Sequence, residues 1–191
     1  MTQITNLGAE KIILGIDPGT RYLGYGIIRI TKDKVHVLQY GVLNLTKYTT
    51  QGAKFLKIHE RVMGIVEEFM PDDIAIESPF FGKNIQSMLK LGRVQGMVMS
   101  ISFSKGIPIT EYEPKKVKQS VTGNGNASKE QVAKMVEIIS GIKLDGKLHD
   151  ATDALGIAIC HHFHNKNITS SVKGTQKGWG AFVNENPDRI K

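Results

Sequence analysis

The chain lacks most of what would mark a secreted or membrane protein. Cys160 is the only cysteine, so no internal disulfide can form, which fits a reducing cytosol. Set in "ALGIAIC", it reads as an inert buried thiol. Long apolar runs are missing too: no stretch approaches the ~18 apolar residues of a membrane span. The opening "MTQITNLGAE" has neither the basic start nor the apolar stretch of a signal peptide. A cytoplasmic protein with no membrane partner is the expectation. Acids are outnumbered, with 18 Asp and Glu against 25 Lys and Arg and a formal charge of +7. Such a surplus raises both encounter rate and affinity for phosphates, so nucleic acid is the leading partner class.

What is present fits one folded unit. At 191 residues, 40% of them hydrophobic, the chain can bury one sizeable core. We expect a short extension over 1–10, a single domain over 11–165, and a tail over 166–191 that is partly disordered and mostly solvated, although Trp179 and Phe182 could dock on the domain or on a partner. "KIILGID", "YGIIRI" and "VHVLQYGVLNL" are β-rich runs separated by the turn signals "DPGT" and "TKDK", which predicts an antiparallel meander. Helical spacing follows from Lys54 to Phe69, stopped by Pro71, and then a strand, "DIAIES". A helix over 84–106 carries Gly92 and Gly96 one turn apart, which would let another backbone approach, from this chain or a second copy. "IPITEY" predicts a fifth strand. Short helices follow around "PKKVKQSV" and "SKEQVAKMVEII", with a last helix from about His149 to His162. The order implies an α/β domain with a mixed five-stranded sheet and helices on both faces.

Two strands end in an acid, the first at Asp17 and the fourth at Glu77. If these strands are parallel neighbours, a right-handed crossover puts both carboxylates on one rim, where α/β sheets tend to hold their sites. The last helix adds Asp150 and Asp153, three residues apart on one face. Taken alone, that pair is equally consistent with ordinary acidic dressing of a helix N-terminus. Four carboxylates with no basic neighbour in sequence would repel or take up protons unless a cation joins them. An all-oxygen set selects Mg²⁺ or Mn²⁺ over Zn²⁺. Two such ions ~4 Å apart on one phosphate suit phosphodiester hydrolysis. Pro18 and Gly19 would turn the chain sharply past Asp17, with Gly19, Gly24 and Gly26 leaving room for a metal or phosphate. His149 stands beside the acids as a ligand, a donor or a plain surface residue. His161, His162 and His164 lie too far along the helix to share the site and read as solvated.

In order and spacing, "ILGIDPGTRYLGYG", "IAIESPFFGKN", "LKLGRVQG", "YEPKKVKQSVTGNGNASKEQV" and "HDATDALGIAICH" resemble the RuvC crossover junction endodeoxyribonucleases over residues 11–164. The resemblance implies a ribonuclease H-like fold, and Asp17, Glu77, Asp150 and Asp153 as catalytic acids and ligands of about two Mg²⁺ or Mn²⁺ ions. It also implies a homodimer that cuts two strands of a four-way DNA junction, with the RuvA and RuvB branch-migration proteins as partners. Phe80 falls where the family carries an aromatic that stacks on unpaired bases, and Phe81 could serve as well or pack in the core. Lys118 and Lys129 align with basic residues placed near the scissile phosphate. Independently, "TGNGNASKEQV" reads as a flexible glycine-bearing loop entering a helix whose Ser128 and Gln131 have capping-box spacing, a ready anion site.

Three other readings share parts of this pattern. "DPGT" before a hairpin also resembles the phosphate loop of actin-like ATPases and sugar kinases, which need two lobes where this chain has the length of one. A non-cleaving junction binder would use the basic loop alone. A ribonuclease H acting on hybrids would share the chemistry and differ only in substrate.

Overall fold

The computed structural model describes residues 10–78, 85–146 and 148–174, with side chains described as far as 166. Strand β1 (Lys11–Asp17) pairs antiparallel with β2 (Tyr22–Thr31), which pairs antiparallel with β3 (Lys34–Asn44). Lys32 and Asp33, both at positive φ (50° and 64°), close the β2–β3 hairpin in a two-residue turn of the kind that matches strand twist. Helix α1 (Gln51–Phe69) starts at Thr50, whose side chain accepts the Ala53 N–H, and ends at Met70 in the left-handed region. It begins three residues before the predicted Lys54 because the cap, rather than the first apolar residue, sets a helix start.

α1 carries the chain back to β4 (Asp73–Glu77), which joins β1 in parallel. Helix α2 (Ile85–Ser104) leads to β5 (Ile109–Tyr112), parallel to β4, so the sheet order is β3-β2-β1-β4-β5. Helices α3 (Pro114–Thr122), α4 (Lys129–Ser140) and α5 (His149–Gly174) complete the described chain. α5 continues well past His162, where the apolar spacing runs out.

Strand alternation sends side chains to two cores. Leu14, Ile16, Ile74 and Ile76 meet Ile58, Val62 and Ile65 of α1 and Val94 and Val98 of α2. Ile13, Ala75 and Tyr112 face α5 together with Val117 of α3 and Val132 and Val136 of α4. Helices therefore cover both faces, as expected. Asp17, two and four places on from Gly15 and Ile13, falls on the α5 face, and so do Asp73 and Glu77 on β4.

The histidines depart from expectation. His161 and His162 are 3% and 8% exposed, not solvated, because α5 lies lengthwise on the sheet and buries both. His161 Nε2 stands 3.0 Å from Asp73 Oδ2, and its Nδ1 is 2.9 Å from the Tyr112 hydroxyl.

Candidate active site

β1 and β4 run side by side in parallel, so their carboxyl ends bring Asp17 and Glu77 to one rim. Asp17 is the register partner of Gly24 on β2. A Cβ built on Gly24 would fall 1.9 Å from the Asp150 carbonyl oxygen, and one on Gly15 would fall 2.1 Å from that of Ala154. The missing side chains are what allow α5 to come down on the sheet and set its first turn beside Asp17. Gly24 and Gly26 thus make room for the helix, not for a metal. Gly19 serves its own turn, since a Cβ there would meet the Tyr22 carbonyl oxygen at 1.8 Å.

Asp17, Asp150 and Asp153 offer carboxylate oxygens that all lie within 4.8 Å of one another. Glu77 lines the same cavity, of ≈ 300 Å³, with Asp17, Asp153, Lys118 and Lys129. His149 is exposed at the start of α5 and lies outside the three-carboxylate group. Asp150 falls in the first turn of α5 and Asp153 just beyond it.

Burial and crowding make these acids hard to ionise together. Burial first, then the charges of Glu77, Asp153 and Asp150, push Asp17 up to about 8, against a partial offset from Lys129. Burial and Asp153 push Glu77 up to about 7, with Lys129 and Lys118 acting the other way. A divalent cation among hard oxygen donors would remove that penalty, and the donor set fits one.

Lys129 supplies a charge that its place in sequence did not reveal: its Nζ is 2.8 Å from Asp153 Oδ2. Lys118 stands across the cavity. Both come from the α3–α4 unit, whose connecting loop is tied down, contrary to the flexibility expected of its glycines. Gln119 donates to the Gly123 carbonyl at 2.7 Å and accepts the Gly125 N–H at 2.9 Å. Asn124 accepts from the Asn126 N–H, and Ser128 and Gln131 form the expected capping box. Gln119 carried no sequence signal, since a polar residue on an exposed helix face is the commonest thing a helix has. On α3, Lys116 lies 5.3 Å over the Tyr112 ring and Lys115 packs its stem near Gly125. Phe80 and Phe81 lie outside the described residues.

A mixed sheet flanked on both faces, with acids at its carboxyl rim joined by two more from a helix start, is the architecture of an α/β domain of ribonuclease H-like type. The family model for crossover junction endodeoxyribonuclease RuvC matches residues 13–161. Proteins of that name from Cytophaga hutchinsonii and Christiangramia forsetii are 53% and 50% identical, covering 95% and 97% of this chain and 89% and 95% of theirs. The structure of Thermus thermophilus RuvC in complex with Holliday junction substrate superposes with a TM-score of 0.78 at 33% identity, over 83% of this chain and 97% of that one. The chain belongs to the RuvC family of crossover junction endodeoxyribonucleases and is an enzyme of that class. A yeast mitochondrial Holliday junction resolvase, 16% identical with a TM-score of 0.60 over 84% of this chain and 83% of its own, shares the fold.

Proposed function

We propose that this protein resolves four-way (Holliday) DNA junctions during recombination and repair, by paired symmetric nicks, as a Mg²⁺-dependent homodimer for which Mn²⁺ can substitute. The observation that carries this reading is the meeting of Asp17, Asp150 and Asp153 within 4.8 Å beside Glu77. The T. thermophilus relative bound to a junction supports the substrate.

Asp17, Glu77, Asp150 and Asp153 are the residues that would hold two divalent ions. Bound there, the ions would polarise the phosphodiester and acidify the attacking water. The chain's own groups prepare the rest. Burial of Asp17 and Glu77 keeps bulk water from screening their charge, so the pocket favours cation over proton only when the cation is present. Lys129 pairs with Asp153 and, lining the same cavity, would be within reach of a bound phosphate. Lys118 adds a second positive charge on the approach side. Phe80, three residues after Glu77 in the chain, is assigned to stacking on unpaired bases, worth ~1–3 kcal/mol per base.

The dimer draws support from α2. Ile85, Leu89 and Phe103 are 70%, 54% and 68% exposed on one face, and nothing lies within 4 Å of a Cβ built on Gly92 or Gly96 between them. An apolar helix stripe with two small residues suits a second copy of itself, and two equivalent sites suit a two-fold substrate. No helix among the described residues is long and apolar enough to cross a membrane. We place the activity in the cytoplasm, with the RuvA and RuvB branch-migration proteins as partners, on the strength of family membership.

The test is nicking of labelled four-way junction, linear duplex and RNA–DNA hybrid, with Mg²⁺ or chelator, by native protein and Asp17→Asn. Symmetric nicks on the junction alone are expected, lost with chelator or substitution while junction binding persists. Equal cutting of linear duplex would reject the junction assignment.

A further inference from the structure

The acids that make the site come from β1, β4 and α5, and β4 and α5 meet again at their far ends. Glu77 closes β4 and Asp73 opens it, on the same face. α5 carries Asp153 near its start and His161 two turns on. Eight helical residues rise ~12 Å, and four strand residues span ~13 Å, so the helix reaches Asp73 just as its first turns reach Glu77. His161 Nε2 lies 3.0 Å from Asp73 Oδ2, while its Nδ1 meets the Tyr112 hydroxyl on β5 at 2.9 Å. The Asn165 side-chain nitrogen also lies 3.0 Å from Nε2, so both ring nitrogens have polar partners. Lys11, from β1, forms an ion pair with Asp73. Asn165, one turn beyond His161, donates to Asp73 at 3.4 Å.

Between these ends the helix lies close on Gly15, Gly24 and Gly26, where a Cβ would meet backbone atoms of Asp150 and Ala154 and the side chains of Leu155 and Ala158. Leu155, Ile157 and Ala158 pack there into one core with Ile13 and Ile28. Close packing on glycines fixes how near the helix lies. The polar contacts at the far end add direction to that apolar packing. Directional contacts from α5 to two neighbouring strands, β4 and β5, converge at the His161 and Asp73 end, and Lys11 of β1 pairs with the same Asp73. A shift of α5 by a fraction of a turn would move Asp150 and Asp153 relative to Asp17 and Glu77 by more than a metal's ligand shell tolerates.

We infer that His161 is a positioning residue for the nuclease site: with Asp73 and Tyr112 it sets the axial register of α5, and thereby the spacing of the four carboxylates that take up the divalent cation. This rests on the cation-binding reading of those acids.

The test is calorimetric titration of the metal-free full chain with Mn²⁺, well below the melting temperature, comparing native protein with His161→Leu, His161→Gln and Ile58→Ala. Ile58 is buried in the opposite core and serves as a matched loss of stability without a change in α5. His161→Leu is expected to weaken Mn²⁺ binding about tenfold. His161→Gln, whose amide can still donate to Asp73, is expected to recover most of it, and Ile58→Ala to bind as the native protein does. Should His161→Leu fail to fold, Tyr112→Phe takes its place, freeing one side of the ring with a smaller loss of the same sign. Affinity within twofold of native in folded His161→Leu, unchanged affinity in Tyr112→Phe where it stands in, or an equal loss in Ile58→Ala, would overturn the inference. A native protein that binds no Mn²⁺ would instead overturn the cation reading and the inference with it.

Discussion

Asp17 is held between opposing demands. Its position at the end of a buried strand places it where a cation can be gripped, and the same burial makes its charge costly when no cation is there. The folded chain keeps the Asp17 proton up to about pH 8, whereas the unfolded chain releases it near 3.8. Glu77 behaves alike between 4.5 and about 7. Stability of the metal-free protein therefore falls as pH rises through those windows, since the folded state binds the extra protons. Protons compete with the cation over the same range, so cation affinity is expected to rise from pH 6 to about 8 and then level off. Asp17→Asn removes the penalty and the ligand together. Its metal-free melting temperature at pH 8 should exceed that of the native protein by about 3–6 °C, a gain of roughly 1–2 kcal/mol. Addition of MgCl₂ should then leave that temperature unmoved. Scanning calorimetry with and without MgCl₂ checks both, and a lower melting temperature for Asp17→Asn would show that the carboxylate is not under strain.

At the scale of elements, the closeness of α5 to the sheet controls the site. Gly24→Ala would drive a methyl group into the Asp150 carbonyl, 1.9 Å away, and lift the first turn of α5. A loss of about 1–3 kcal/mol is expected, together with weaker Mn²⁺ binding. Gly64→Ala, on the exposed face of α1 with nothing within 4 Å, should instead stabilise by about 0.5–1 kcal/mol. Thermal melts of the two variants, opposite in sign, test that reading of the glycines. Strands, helices and their order were legible in the sequence because alternation, helical spacing and turn residues are local signals. Asp17 and Glu77 were legible for the same reason, each ending an aliphatic run. The pairing of Lys129 with Asp153 was not, because 24 residues of chain separate them and only the packing of α4 against α5 brings them together. The burial of His161 was equally hidden, since a run of histidines past the apolar stretch looks like a solvated helix end until α5 is laid along the sheet. Glycine was read as room for a ligand when its neighbour is a helix, a distinction that no window of sequence contains.

At the scale of the whole molecule, α2 exposes an apolar stripe among the described residues. On α2, Ile85, Leu89 and Phe103 stand exposed around the open positions of Gly92 and Gly96. Gly96→Glu would set a charge in the middle of that stripe and is expected to give a monomer by sedimentation while leaving the melting temperature of the isolated fold within a few degrees. A Gly96→Glu protein that sediments as the native one does would place any self-association elsewhere. The opposite face carries its own consequence. Where α5 crosses Gly15 and Gly24 a Cβ would collide with backbone carbonyl oxygens, so helix and strands are closely packed beneath the carboxylates. High hydrostatic pressure acts by eliminating voids, and a closely packed seam gives it little to act on. Nicking per folded molecule should accordingly stay level under compression until the chain unfolds outright, whereas a steady decline at pressures that leave the fold intact would reveal a softer seat.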